Sequence, residues 1–141
     1  MRVHLGLITI PLLILLAACG GGMSKEEVVK EGDKICVRTA DEIFKLGNPQ
    51  TAEEVNAYGS KASKVYGSAV EDFKELDPPN EGKEDFEVFV EALEDRVRVA
   101  DRLADAQGEQ ITDLIVEAMA SEKKSYEAAE AYGFERCGPP A

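Results

Sequence analysis

VEDFKELDPPNEGKEDFEVFV, residues 70–90, is the stretch that decides the fold. Its centre, Asp77-Pro78-Pro79-Asn80-Glu81-Gly82, suits neither a helix interior nor a strand interior. Proline has no N–H to donate and pushes the residue before it out of the helical region. On both sides of this break, apolar residues recur every three or four positions: Phe73 and Leu76 before it, Phe86, Phe89 and Val90 after it. The break therefore joins two helices rather than two strands.

The pattern extends outward in both directions. Thr51 followed by Glu54 has the spacing of a capping box, in which each side chain caps the other's backbone N–H. Val55, Tyr58, Ala62, Val65, Ala69, Phe73 and Leu76 then mark one face of a long helix. After the break, Phe86, Phe89, Val90, Leu93, Val97, Ala100 and Leu103 mark another. Upstream, Ser24 with Glu27 forms a further capping box, followed by Val28, Val29, Gly32, Cys36, Ala40, Ile43 and Phe44 and a stop at Gly47-Asn48-Pro49. Downstream run Ile111, Leu114, Ile115, Ala118, Met119, Tyr126 and Ala129, ending at Gly133. Phe134 is placed as the apolar partner of a Schellman-type cap there. Gly108 is the one breaker between the third and fourth patterns. A tight turn at Gln107-Gly108 is the preferred reading; a single kinked helix is the other, since a lone glycine costs only about 1 kcal/mol. Four helices of about 22–26 residues, roughly 33–39 Å each, with short connections predict an all-α, up-down-up-down four-helix bundle.

The N-terminus carries an address. Arg2 and His4 precede a nearly unbroken apolar run from Leu5 to Leu16. That run is too short for a span, which needs about 20 apolar residues, and has the length of a signal-peptide core. It ends in Leu16-Ala17-Ala18-Cys19, followed by three glycines. This segment resembles the lipobox of bacterial lipoproteins. The resemblance implies cleavage after Ala18, lipidation of Cys19 (acyl chains of the palmitate type) and residence on the extracytoplasmic face of a cell membrane. The alternatives are an ordinary signal peptide cut at the same place and an uncleaved anchor helix. The expected organisation is a signal peptide over 1–18, a lipid-anchored tether over 19–24 and a bundle domain over 25–141.

In that oxidising setting, Cys36 and Cys137 are an even pair and are expected to form a disulfide that closes the bundle. The bridge also sets a geometric problem. Cys36 lies about 18 Å along the first helix from Ser24, whereas Cys137 lies just past the fourth. A bridge needs Cα atoms within about 7 Å. The preferred solution makes residues 24–31 a projecting stalk, with packing that starts near Gly32. The other lets Glu135-Arg136-Cys137 climb back along the first helix.

Charge excludes some partners. The chain has 28 acidic and 16 basic residues. Loss of Arg2 with the signal leaves a net charge of about −13, which argues against nucleic acid and against the domain lying flat on anionic lipid. Trp is absent, which disfavours carbohydrate-stacking platforms.

Beyond the lipobox, the mature part resembles a loose group of uncharacterised small helical lipoproteins and secreted proteins of actinobacterial type. The residues that carry this are Cys36 early in the first helix, Leu76-Asp77-Pro78-Pro79, and the terminal Tyr132-Gly133-Phe134-Glu135-Arg136-Cys137-Gly138. These motifs are structural, and the resemblance implies no activity.

Candidate chemistry is sparse. Glu84, Glu87, Glu91 and Asp95 line one face of the third helix without an intervening cation. They read first as a solvated face and second as a weak divalent-cation surface. Glu94 and Arg98 have the spacing of an i,i+4 pair. A di-iron bundle needs inward Glu-x-x-His motifs, and no histidine follows His4. The same lack removes Ser-His and Cys-His hydrolysis and haem ligation by histidine. Met23 and Met119 are too few for a methionine-rich copper site. Tyr58, Tyr66, Tyr126 and Tyr132 are either core with wet hydroxyls or the flanks of a ligand groove. No cofactor and no catalytic set is expected. The expectation is a membrane-tethered, non-catalytic binding module for an unknown protein or small-molecule partner, or alternatively a small-molecule or divalent-cation carrier.

Overall fold

The computed structural model describes residues 22–139. Cys19 and the lipobox residues Leu16, Ala17 and Ala18 lie outside them. Four helices follow in order: α1 (Lys25–Lys45), α2 (Ala52–Lys74), α3 (Lys83–Ala104) and α4 (Glu109–Tyr132). Among the described residues there is no strand. Both capping boxes form: Ser24 and Thr51 each accept from the N–H of the glutamate three residues on, and that glutamate accepts from the cap N–H in return. Gly82 and Gly133 take the left-handed conformation at the start of α3 and the end of α4. The Phe134 N–H donates to Ala129 O at 3.0 Å, the six-to-one bond of a Schellman motif. Gly108, at φ 55°, makes the α3–α4 turn, so the two helices are separate.

The helices run up-down-up-down. α2 packs on α3 and α3 on α4 along their lengths, and α1 packs on α2. Two contacts between α2 and α3 are set by single residues. A Cβ at Gly59 would stand 2.8 Å from Ala100 O and Ala104 N, so glycine lets the backbones meet. Asn56 Nδ2 donates to Leu103 O at 2.7 Å and Ala106 O at 3.0 Å, tying α2 to the carbonyls at and just past the end of α3, where the regular helical bonds run out.

The main core lies at the end where the chain enters and leaves. Phe73, Phe86, Phe89, Tyr132 and Phe134 form one aromatic cluster, with centroids 4.9 Å apart for Phe73–Phe89 and 4.7 Å for Tyr132–Phe134. Val28 and Ile35 of α1 complete it.

The Cys36–Cys137 disulfide is present, with Cα atoms 5.1 Å apart across a sequence separation of 101. The stalk expected over residues 24–31 is not. α1 is packed from its first turn: Val28 is fully buried, and Met23 N–H donates to Asp77 O at 3.0 Å. The C-terminal segment makes up the distance instead. It turns at Gly133 and runs back along α1. Phe134 seats against Gly32. The Glu135 and Arg136 N–H groups donate to Asp33 Oδ1 at 3.0 and 2.9 Å. Gly32 is therefore a notch for an aromatic ring.

Two sequence-based apolar faces are also corrected. Phe44 is 87% exposed, Met119 66% and Ile115 42%. Their faces stay open because α1 and α4 do not pack along one another.

Candidate functional site

The unclosed seam between α1 and α4 is a cleft of about 690 Å³, within the range of about 300–1,000 Å³ usual for ligand sites. Ala40, Ile43 and Phe44 of α1 form one wall; Glu122, Ser125 and Tyr126 of α4 form the other. The floor comes from Ala69 and Phe73 of α2 and from Phe89, Leu93 and Arg96 of α3. Glu135 to Pro139, held by the disulfide, also line it. The redirected C-terminal segment is thus part of the cleft.

One polar cluster interrupts this lining. Arg96 sits on the floor with its side chain only 14% exposed. Its guanidinium donates to Tyr66 Oη at 2.7 Å, Ser125 Oγ at 3.2 Å and Glu122 Oε1 at 3.3 Å. It also stacks 4.4 Å from the Tyr66 ring centroid and 5.7 Å from that of Tyr126. Tyr126 Oη donates to the same Glu122 oxygen at 2.6 Å. A buried cation needs this density of partners to offset its lost hydration. Tyr66 accepts from Arg96, and among the described residues no acceptor takes its own proton in return. An apolar cleft with a few convergent polar groups is the usual form of a binding site.

Burial raises the pKa values of the cluster's phenols. Tyr66 is shifted upward chiefly by desolvation, against the pull of Arg96. Tyr58, close by, is shifted upward by desolvation and then by Tyr66. Tyr126 is pushed up to about 12, first by desolvation and then by its hydrogen bond to Glu122. A folded value above the ordinary 10.0 means that the unfolded chain loses this proton first. The contribution is therefore fully present below pH 10.0 and is lost as pH rises through about 12. Tyrosinate absorbance in an alkaline titration is expected to keep a late component that Tyr126→Phe reduces. An unchanged late component in Tyr126→Phe would show that the Tyr126 hydroxyl is not shielded in the cleft.

The four tyrosines divide. Tyr66 and Tyr126 belong to the cleft. Tyr132 is fully buried in the aromatic core at the disulfide end. Tyr58 packs beside Tyr66 in a smaller cluster. Arg96 is the residue that sequence reasoning missed. Its signal was its place between Leu93 and Ala100 at spacings of three and four, a charge inside an apolar stripe.

The acidic face of α3 is not an unbroken row of free carboxylates. Asp95 accepts from Lys124 of α4 at 2.8 Å and from Arg98, and the Lys124 hydrogen bond holds its carboxyl below the usual range. Glu87 lies 4.0 Å from Lys83. Glu84 and Glu91 make no ion pair among the described residues. Among those residues, no three carboxylate, histidine or cysteine groups gather as a metal site. The anticipated Glu94–Arg98 pair is replaced by Glu94 with Lys74 and Arg98 with Asp95.

No protein-family model, no curated protein and no solved structure matches this chain.

Proposed function

We propose that this protein is a non-catalytic binding module, tethered by lipid at Cys19 to the extracytoplasmic face of a membrane, and that the α1–α4 cleft is its binding element. The observation that carries the reading is the cleft itself: an apolar trough with one preorganised polar cluster on its floor, left open where a closed bundle would bury it. The anchor rests on the lipobox resemblance at Leu16-Ala17-Ala18-Cys19. Two or more acyl chains hold a protein stably on a bilayer, whereas one holds it marginally. The divalent-cation alternative has less support, because Lys124 and Arg98 already occupy Asp95.

The test has two parts. Cys19→Ser is expected to move the protein from the membrane fraction to the medium. Purified protein is expected to enhance the emission of the neutral apolar fluorophore N-phenyl-1-naphthylamine. Ala40→Trp, which fills an exposed position on the cleft wall, is expected to abolish that enhancement. Equal emission from wild type and Ala40→Trp would falsify the cleft as the binding element. Unchanged fractionation of Cys19→Ser would remove the anchor.

A further inference from the structure

The apolar surface of the cleft continues beyond its mouth. On α4, Ile115 and Met119 share a face with Glu122 and Tyr126, which line the cleft, because the four positions are spaced four, three and four apart. On α1, Phe44 shares a face with Ala40 and Cys36. Phe44, Ile115 and Met119 lie toward the end opposite the disulfide. A small molecule enclosed in the trough would touch Phe44 but leave Ile115 and Met119, which lie outside its lining, in water. An occupant that covers them together with the Phe44 wall reaches from α1 to α4 and runs along α4 from Ile115 to Tyr126, roughly 16 Å at 1.5 Å per residue.

Charge narrows the occupant. Arg96 and Glu122 offset one another on the floor and wall. At the rim, Asp41 and Glu135 stand against Arg136. Glu130 lies one turn beyond Tyr126 on the same face of α4. Among the described residues none of Asp41, Glu130 and Glu135 forms an ion pair. The whole chain carries −12. A second copy brings the same negative field and is repelled; a cationic partner is drawn in.

We infer, building on the cleft reading above, that the cleft takes an amphipathic, basic helix of a partner protein. Its apolar face would lie across Phe44, Ala40, Ile115 and Met119, closing the seam that α1 and α4 leave open, with its lysines or arginines toward Asp41, Glu130 and Glu135. This is helix-in-groove recognition, read through anchors at i, i+3 or i+4, and i+7.

The probe is a helix-forming peptide of about 14 residues, roughly 21 Å long, with leucine on one face and lysine on the other. Its controls are a scrambled peptide of the same composition and a version with glutamate in place of lysine. Binding to purified protein with the disulfide intact is read by fluorescence anisotropy. The facially ordered basic peptide is expected to bind, more weakly as salt rises. Phe44→Ser, Met119→Ser and Ala40→Trp are each expected to weaken it by about tenfold or more, the loss typical of an anchoring contact. Val88→Ser, an exposed valine on α3, is expected to leave it unchanged. Equal binding of the scrambled peptide, or indifference to the three cleft substitutions, overturns the inference in favour of unspecific charge attraction. Binding of lysophosphatidylcholine monomers with the same sensitivity, and of no peptide, overturns it while leaving the cleft as a binding element. A dimer in sedimentation equilibrium that Phe44→Ser dissociates makes a second copy the occupant and overturns it too. Failure of every probe, the neutral fluorophore included, overturns the cleft reading itself.

Discussion

Replacing both Cys36 and Cys137 by serine is expected to lower the unfolding free energy by about 2–5 kcal/mol, the usual cost of losing a disulfide. The bond closes a loop with a sequence separation of 101, and the chain-entropy account gives about 4.7 kcal/mol for a loop near 100 residues. Most of that acts on the unfolded chain, which becomes free to expand. The slope of a urea transition is therefore expected to steepen as its midpoint falls. A second effect is local. The C-terminal segment is held along α1 by the disulfide, by Phe134 and by the two N–H bonds to Asp33 Oδ1. Without the bond, the Glu135 and Arg136 amides are expected to exchange with solvent well before the helical core, and fluorophore binding in the cleft to weaken as that part of its lining loosens. Urea curves for oxidised and reduced wild type, with hydrogen exchange and fluorophore binding on each, read all four. Identical midpoints in the two redox states would remove the structural role assigned to this bridge.

Much of the fold is written in local chemistry. Ser24 with Glu27, Thr51 with Glu54, the Pro78-Pro79 break and Gly133-Phe134 mark helix ends through hydrogen bonds that involve only near neighbours, so they can be read from the sequence. The cysteine pairing was legible through the even number of cysteines left once Cys19 is assigned to the lipobox. The route of the last segment was not, because it depends on Phe134 finding Gly32, a contact between residues at opposite ends of the chain. The cleft was half legible. Tyr66 and Tyr126 were named, but apolar spacing placed Phe44, Ile115 and Met119 toward the core without saying whether a neighbouring helix would arrive to cover them. Periodicity tells which face of a helix is apolar; only packing tells whether that face is covered. Arg96 sits at the junction of the two problems. On its own helix it looks like an error in the stripe, and it becomes tolerable only when Tyr66, Glu122 and Ser125 from two other helices surround it.

Phe134→Ala is expected to cost about 3–5 kcal/mol, as truncation of a buried aromatic does. Its ring has four aromatic neighbours, with centroids 5.6 Å from Phe73, 6.5 Å from Phe86, 4.9 Å from Phe89 and 4.7 Å from Tyr132. Each such edge or tilted contact adds about 0.5–1.5 kcal/mol beyond burial. Global loss of stability alone does not separate this contact from any other core residue, so the decisive measurement is a double-mutant cycle with Gly32. A Cβ at Gly32 would fall 2.3 Å from Phe134 Cε1 and 2.9 Å from Phe73 Cε1. Gly32→Ala alone is therefore expected to destabilise, even though alanine improves an unconstrained helix by about 1 kcal/mol over glycine. With Phe134 already reduced to alanine, the nearest obstacle is gone and the helical gain of Gly32→Ala partly emerges. The double variant should then be more stable than the sum of the two single losses predicts, by about 1–3 kcal/mol. Strictly additive losses in urea denaturation would mean that the ring does not sit in the Gly32 notch, and that the disulfide and the Asp33 hydrogen bonds set the path of the C-terminal segment along α1.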